Sequence, residues 1–159
     1  MHCALLKPCI QLGRKLSILI QVTNPDYHFS DYSLGWFNVF HITDEVGQFP
    51  YIRIPSVSVK PTEAYIRICS EVSGNDDCQV YNYNFYQRYH FEIKQDMNSN
   101  GEVVYSIGMD GATVYEVVNT LPKIIKEVAL YGSDPWHPNF ARIGELRNLD
   151  IANGNRCPA

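Results

Sequence analysis

The sequence lacks the stretches that mark a membrane span or a nucleic-acid surface. No apolar run reaches the ~18 residues that a transmembrane helix needs. The 13 Lys and Arg against 17 Asp and Glu give a net charge of −4 with no basic run, which disfavours nucleic acid and anionic membranes as partners. The amino-terminal apolar segment is interrupted by Lys7, Pro8 and Arg14 and no small-residue cleavage site follows it. It is therefore not a clear signal peptide.

Common catalytic signatures are also missing from the sequence. It contains no G-x-S-x-G elbow, no H-E-x-x-H pair and no glycine-rich phosphate loop. A glycosidase needs two carboxylates about 5–10 Å apart, but the sequence has no E-x-D-x-x-E string, and Glu92 and Asp96 are the nearest pair. We predict a protein without enzymatic activity, and a glycoside hydrolase is the less favoured alternative.

The sequence does contain a succession of short strand-like segments. Its 11 Tyr, 7 Phe and 2 Trp favour strands over helices. About ten runs that alternate apolar and polar residues are separated by Gly, Asn, Asp and Pro turns, with almost no helical period. This pattern predicts an all-β, two-sheet antiparallel sandwich. We expect a lead-in segment at residues 1–15, one domain at 16–151 and a tail at 152–159.

Four local features of the strands are predicted from proline, glycine and alternation. Pro55 lies within the run 51–59, which favours an edge or bulged strand there because proline donates no ladder hydrogen bond. Gly74 to Asp77 and the pair Asp110-Gly111 are predicted as hairpin turns. The runs 124–131 and 143–151 are predicted to pair as a closing hairpin, and the proline-braced insert between them carries Trp136 at its tip.

The cysteines indicate an oxidising compartment. Five cysteines occur, and Cys69 and Cys78 lie on two runs predicted to face each other across a turn. Facing strand positions approach disulfide geometry, so we predict a bridge between them, with two free thiols as the alternative. A domain of this size with this many cysteines is typical of secreted proteins.

Three segments resemble concanavalin A-like jelly-roll domains of extracellular proteins, akin to laminin-G modules and of a type common in marine invertebrates. They are VALYGSDPWHPNFARIGELRNLDI at 128–151, IRICSEVSGNDDC at 66–78, and YHFEI at 89–93 followed by YSIGMDG at 105–111. Together they fall within residues 35–151. The resemblance implies a jelly-roll sandwich that recognises a glycan or an extracellular protein and has no enzymatic activity of its own. A self-assembling structural protein, forming homo-oligomers through Tyr-rich faces and edge strands, is the alternative.

The jelly-roll resemblance also suggests a second disulfide and a ligand site. The chain termini of a jelly roll run side by side, so we expect Cys157 to pair with Cys9 or Cys3. An aromatic ring beside polar side chains suits sugar binding. The candidates for such a site are Trp136, His137, Asp134 and Asn139 in the proline-rich insert, and Tyr83 and Tyr86 in an aromatic loop. For Trp136 itself, a structural plug at the end of the sandwich is the favoured interpretation, and a ligand platform is the alternative.

Calcium is the one cofactor that the sequence suggests. Residues 96–101 match the first half of a calcium loop, but Ile107 stands where the bidentate Glu belongs, and a hairpin turn is the favoured interpretation. Lectin-type jelly rolls often hold calcium at a rim of the sandwich. The candidates for such a rim site are Asp44, Glu45, Asn75, Asp76, Asp77 and Asp134, and Asp76 and Asp77 are the two we select.

Overall fold

The computed structural model describes residues 4–6, 14–23, 35–43, 53–123, 128–132 and 144–153. These residues form eleven strands and one short 3-10 helix, Pro61–Glu63. The strands are β1 Ala4–Leu6, β2 Arg14–Val22, β3 Phe37–Thr43, β4 Ser56–Lys60, β5 Tyr65–Val72, β6 Asn75–Asn82, β7 Arg88–Met97, β8 Val103–Met109, β9 Ala112–Val118, β10 Val128–Tyr131 and β11 Gly144–Asn153. None of the described residues belongs to a helix long and apolar enough to cross a membrane.

The strands form two antiparallel sheets packed face to face. One sheet has six strands in the order β1-β10-β3-β4-β5-β6, and the other has five in the order β11-β2-β7-β8-β9. The predicted all-β, two-sheet jelly-roll sandwich is therefore confirmed. The division into lead-in, domain and tail stays a prediction; β1 lies within residues 1–15 and pairs with β10.

The hydrophobic core lies between the two sheets and comes from every second residue of their strands. Strand side chains alternate between faces, so one face of each strand can be apolar while the other meets solvent. The fully or nearly fully buried core includes Leu16, Ile18, Ile20, Val22, Phe37, Phe40, Ile42, Val57, Val59, Ile66, Ile68, Phe91, Ile93, Tyr105 and Ile107. The alternation predicted for β5 and β7 is confirmed. Strand β3 differs, because all seven of its residues are buried.

The predicted closing hairpin is wrong. Strand β10 pairs with β1 and β3 in the six-stranded sheet, whereas β11 pairs with β2 in the five-stranded sheet. The expectation rested on the rule that consecutive strands usually pair. Here the chain passes from one layer to the other between them, so each strand finds its partner among strands distant in sequence. The insert with Trp136 at its tip lies outside the described residues.

The prediction of an edge strand around Pro55 is wrong. The alternative, a bulged strand, agrees with the backbone hydrogen bonds, because Ile54 and Pro55 both bond to Ile42 on β3. Strand β4 begins at Ser56, immediately after the proline, and lies between β3 and β5 in the sheet. The Pro55 carbonyl oxygen accepts a hydrogen bond from the Ile42 backbone N–H at 2.9 Å. Because the proline precedes the strand and uses only its acceptor, β4 loses no ladder hydrogen bond.

Two hairpins use residues with positive φ at their turns. Asp110 (φ 52°) and Gly111 (φ 87°) join β8 to β9, which confirms the predicted turn. The turn between β5 and β6 is Ser73-Gly74, with φ values of 52° and 79°. The predicted turn at Gly74 to Asp77 is therefore placed too late, because residues 75–77 already pair with β5. Residues 75–77 are all polar and resemble a turn in the sequence, although they form the start of β6.

An ion network lies on the outer face of the five-stranded sheet. The Glu92 carboxylate on β7 pairs with Lys94, Oε2 to Nζ, at 2.7 Å, and with Lys15 on the neighbouring strand β2. Hydrogen bonds from Lys15 and then Lys94 lower the pKa of Glu92 from 4.5 to about 2. A carboxyl whose pKa is lower in the folded than in the unfolded protein stabilises the fold above its unfolded value.

We expect Glu92 to contribute to acid sensitivity. Its stabilising effect is complete above pH 4.5 and is lost as the pH falls towards 2. A Glu92→Gln variant should therefore show a shallower decrease of unfolding free energy between these pH values, measured by urea unfolding at each pH. The control is Glu116→Gln, an exposed glutamate on β9, which should keep the wild-type slope. Equal slopes for Glu92→Gln and wild type would contradict the assignment.

Candidate functional site

The outer face of strands β3 to β6 carries a set of polar side chains around one indole. Cross-strand register aligns Asn38 with Ser58 and Ser58 with Arg67. The neighbouring residues Phe37, Val59 and Ile66 point into the core, so strand alternation turns the polar residues outward. We call the set Trp36, Asn38, Arg53, Ser58, Lys60, Arg67 and Asp76 the polar face.

Trp36 lies at the centre of the polar face and contacts two cations. The Arg67 guanidinium carbon lies 4.2 Å from the centroid of an indole ring of Trp36, and the Lys60 ammonium lies 5.9 Å from it. Both distances are within the range of cation–π attraction. Arg67 also donates from Nε to the Ser58 hydroxyl at 3.2 Å. The indole and the half-buried guanidinium are thus fixed relative to each other.

The charges of the polar face are incompletely balanced. Arg53 donates from Nη1 to Asp76 Oδ2 at 2.8 Å, and Lys60 pairs with Glu63. Arg67 pairs with no carboxylate in the described part of the chain. Burial and then the neighbouring Arg53 charge lower the pKa of Arg67, while Asp76 opposes that shift. Since an arginine stays charged in proteins, the face has one cation, Arg67, without an ion-pair partner among the residues that the structure describes.

Asn38 marks the covered end of this face. Its side chain is 3% exposed, and its Oδ1 atom is buried with no hydrogen-bond partner in the described ranges. Asp76 and Cys78, on the edge strand β6, are exposed. The face is therefore open to a ligand over β5 and β6 rather than over β3.

The polar face carries groups that can bind a ligand. It offers guanidinium and ammonium donors, a hydroxyl, a carboxylate acceptor and an aromatic ring, which suit a ligand rich in hydroxyl groups. The carboxylates considered for hydrolysis, Glu92 and Asp96, lie on β7 in the other sheet. A general acid needs a raised pKa, whereas the pKa of Glu92 is lowered to about 2 by hydrogen bonds from Lys15 and Lys94.

The structure does not bring Tyr83 and Tyr86 together as one binding patch. Tyr83 is 4% exposed and packs edge-on against Phe85, with ring centroids 5.2 Å apart. Tyr86 is 63% exposed in the loop between β6 and β7. The other predicted ligand residues, and two of the predicted disulfide cysteines, lie outside the described residues: Trp136, His137, Asp134, Asn139, Cys9 and Cys157.

Asp76 and Asp77 are adjacent on β6 and point to opposite faces of the sheet. Asp76 binds Arg53 on the outer face. Asp77 points inward, where it accepts hydrogen bonds from the Tyr115 hydroxyl at 2.5 Å and from Gln79 at 2.7 Å. Two carboxylates on opposite faces do not fit one calcium ion. Within the described ranges, no group of three or more His, Cys, Asp and Glu side chains is arranged to hold a metal ion.

Asp77 also lies among tyrosine hydroxyls at the side of the sandwich bounded by β6 and β9. The hydrogen bond to Asp77 is the main cause that raises the pKa of Tyr115 to about 12. Burial, with Tyr115 and Asp77 nearby, raises the pKa of Tyr81 to about 12. Burial is likewise the main cause that raises the pKa of Tyr105. These tyrosines therefore stay neutral over the physiological pH range. The Tyr115 hydroxyl donates a hydrogen bond to Asp77, whereas Tyr81 and Tyr105 serve packing.

The structure contains a disulfide between Cys69 and Cys78, in agreement with the facing positions expected from sequence. It joins β5 to the edge strand β6. The Arg53 Nη1 atom lies 4.0 Å from Cys78 Sγ. The disulfide is thus next to the Arg53–Asp76 pair and supports the strand that carries Asp76.

The fold is shared with known lectin structures, although the sequence is not. No protein-family model matches the chain, and the search of curated proteins found no match. The search of solved structures found a Caenorhabditis elegans galectin, LEC-6, with a TM-score of 0.51 and 13% identity over 96% of this chain and 92% of that one. It also found a human galectin-16 variant with a TM-score of 0.54 and 13% identity over 95% of both chains.

A third similar structure is a ligand binding domain of botulinum neurotoxin serotype D in complex with N-acetylneuraminic acid. Its TM-score is 0.59, with 10% identity over 90% of this chain and 33% of that one. At these identities the likeness concerns the fold. The chain is therefore a concanavalin A-like β-sandwich of the kind found in galectins and other jelly-roll lectins.

Proposed function

We propose that this protein is a non-catalytic recognition module that binds a glycan on the polar face. The observation that carries the proposal is the fixed cluster of half-buried Trp36 and Arg67 with buried Ser58 on one sheet surface, next to the exposed Asp76. An indole offers an apolar plane and an N–H donor, and the surrounding donors and acceptors match sugar hydroxyls. Galectins are built on this fold, so the scaffold is compatible with sugar binding, although a fold alone does not define a function.

We expect Trp36→Ala to weaken glycan binding by about tenfold or more, because aromatic anchors dominate binding energies. Wild type and variant would be compared on a glycan array and then by titration calorimetry with the strongest glycan. Tyr86→Ala serves as the comparison, since Tyr86 is an exposed aromatic residue outside the polar face. A loss of binding with Tyr86→Ala and none with Trp36→Ala would place the site in the aromatic loop instead. No binding to any glycan would contradict the proposed function.

We also propose that the protein acts outside the cell. The Cys69–Cys78 disulfide supports this proposal, since structural disulfides persist in oxidising compartments.

Calcium binding stays a prediction from the sequence. A metal that binds only the folded protein raises the melting temperature, so thermal unfolding with calcium and with EDTA tests it. Protein ligands, homo-oligomers and a site in the insert around Trp136 stay predictions as well.

A further inference from the structure

Building on the proposed glycan binding, we infer that the polar face selects glycans carrying one acidic group, a carboxylate or a sulfate, which Arg67 binds. The first observation is the charge balance. Of the three cations on this face, Arg53 and Lys60 have carboxylate partners and Arg67 has none among the described residues. An arginine on a binding surface without an acidic partner among the described residues can accept that partner from a ligand.

The second observation is how Arg67 is held. Its plane lies near the indole of Trp36, and its Nε atom is engaged with Ser58. Among the described residues, no hydrogen bond uses the terminal amino groups of Arg67, so they can meet a ligand. A planar guanidinium can bind a carboxylate or sulfate through two parallel hydrogen bonds. The side chain is half-buried, where ion pairs are stronger than in bulk water. Little side-chain freedom remains to be lost on binding, because the guanidinium is already oriented.

The third observation limits the ligand to a single acidic group. Asp76 is exposed on the same face, and Arg53 next to it is already neutralised. A polyanion would bring further negative charges close to Asp76 and to a protein of net charge −4, which is unfavourable. A ligand with one acidic group and several hydroxyls avoids this repulsion, and the Asp76 carboxylate can accept hydrogen bonds from those hydroxyls. These properties favour a monoacidic glycan over an acidic peptide.

The test begins with an array that holds neutral oligosaccharide cores beside their sialylated, glucuronylated and sulfated forms, together with heparin and a poly-glutamate peptide. We expect a monoacidic form to bind about tenfold or more tightly than its neutral core, because hydrogen bonds to charged groups are the strong ones. Comparison of the carboxylated with the sulfated forms identifies which acid is preferred. The preference should weaken between 50 and 300 mM NaCl, since salt screens charge pairs.

Variants at Arg67 connect the preference to this residue. Arg67→Gln should lose the preference, so that the acidic form binds no more tightly than its neutral core. Arg67→Lys should keep part of the preference, because it retains the charge without the planar fork. Arg88→Gln, at an exposed arginine of the other sheet, is the matched control and should bind like wild type. If Arg67→Gln fails to fold by thermal unfolding, Arg67→Lys and the wild-type salt dependence decide.

The possible failures are distinguishable. Binding to neutral cores without any preference for acidic forms would overturn this inference and leave the proposed function intact. So would tighter binding of heparin or poly-glutamate than of every monoacidic glycan, or an unchanged preference in a folded Arg67→Gln variant. Binding to none of the glycans would overturn the proposed function itself.

Discussion

Replacing Phe91 with alanine is expected to lower the free energy of unfolding by about 3–5 kcal/mol. Phe91 lies in the middle of β7, is 0% exposed, and contacts Tyr81 across the core with ring centroids 6.0 Å apart. Truncation removes buried apolar area and leaves a cavity that packed neighbours fill only partly. Urea unfolding followed by fluorescence would measure the loss.

The matched control for Phe91→Ala is Met97→Ala on the same strand. Met97 is 53% exposed, so its truncation should change the free energy of unfolding by about 0.5 kcal/mol or less. If the two variants were destabilised equally, the assignment of Phe91 to the shared core of both sheets would be wrong.

Removing the Cys69–Cys78 bridge by the double substitution Cys69→Ala and Cys78→Ala is expected to reduce the free energy of unfolding by about 2.5–3 kcal/mol. The two cysteines are nine positions apart, and closing a loop of that length restricts the unfolded chain by about this amount. For a domain of this size, the loss corresponds to a decrease of roughly 5–12 °C in melting temperature. Thermal and urea unfolding without reductant would measure it.

The three other cysteines could also form or lose disulfides, so the effect of the Cys69–Cys78 bridge needs a control for them. Wild type and the double variant would be compared with and without dithiothreitol, because Cys3, Cys9 and Cys157 are present in both proteins. The difference in unfolding free energy between the two should nearly vanish when both are reduced. A difference that persists under reduction would mean that side-chain packing, rather than the covalent bridge, causes the destabilisation.

The fold class could be predicted because it depends on local pattern. Alternation in Tyr65–Val72 and Arg88–Met97 assigns each side chain to a face without knowledge of its partner strand. The pair Asp110-Gly111 defines its turn because both residues tolerate positive φ. Such signals lie within a few residues of each other, and tertiary packing did not override them.

The pairing of the last two strands could not be predicted in the same way. Strand β11 pairs with β2, more than 100 positions earlier in the chain, as Gly144 opposite Val22 and Asn153 opposite Arg14. Neither strand carries a residue type that specifies the other, since any half-apolar strand fits an open sheet edge. The strand with which β11 pairs is determined only when the two sheets assemble. Proximity in sequence therefore favoured the wrong partner.

The candidate site was missed for a related reason. Alternation does place Arg67 on the outward face of β5 with Cys69, and that was visible in the sequence. The sequence does not show that the Trp36 indole contacts Lys60 and Arg67. Those contacts depend on the strand order β3-β4-β5, which places the three residues side by side. Tyr83, in contrast, looked accessible in an aromatic loop and is packed into the core beside Phe85.

The hydrogen bond from Tyr115 to Asp77 has a mechanical consequence. Strands β6 and β9 are edge strands of opposite sheets, so this bond crosses between the layers at their open side. Apolar contacts resist separation of two sheets but permit some sliding, because they have no preferred direction. A directed polar bond at the margin opposes that sliding. The sandwich should therefore resist shear along this side, where the edge strand that bears Asp76 would otherwise shift relative to Arg67.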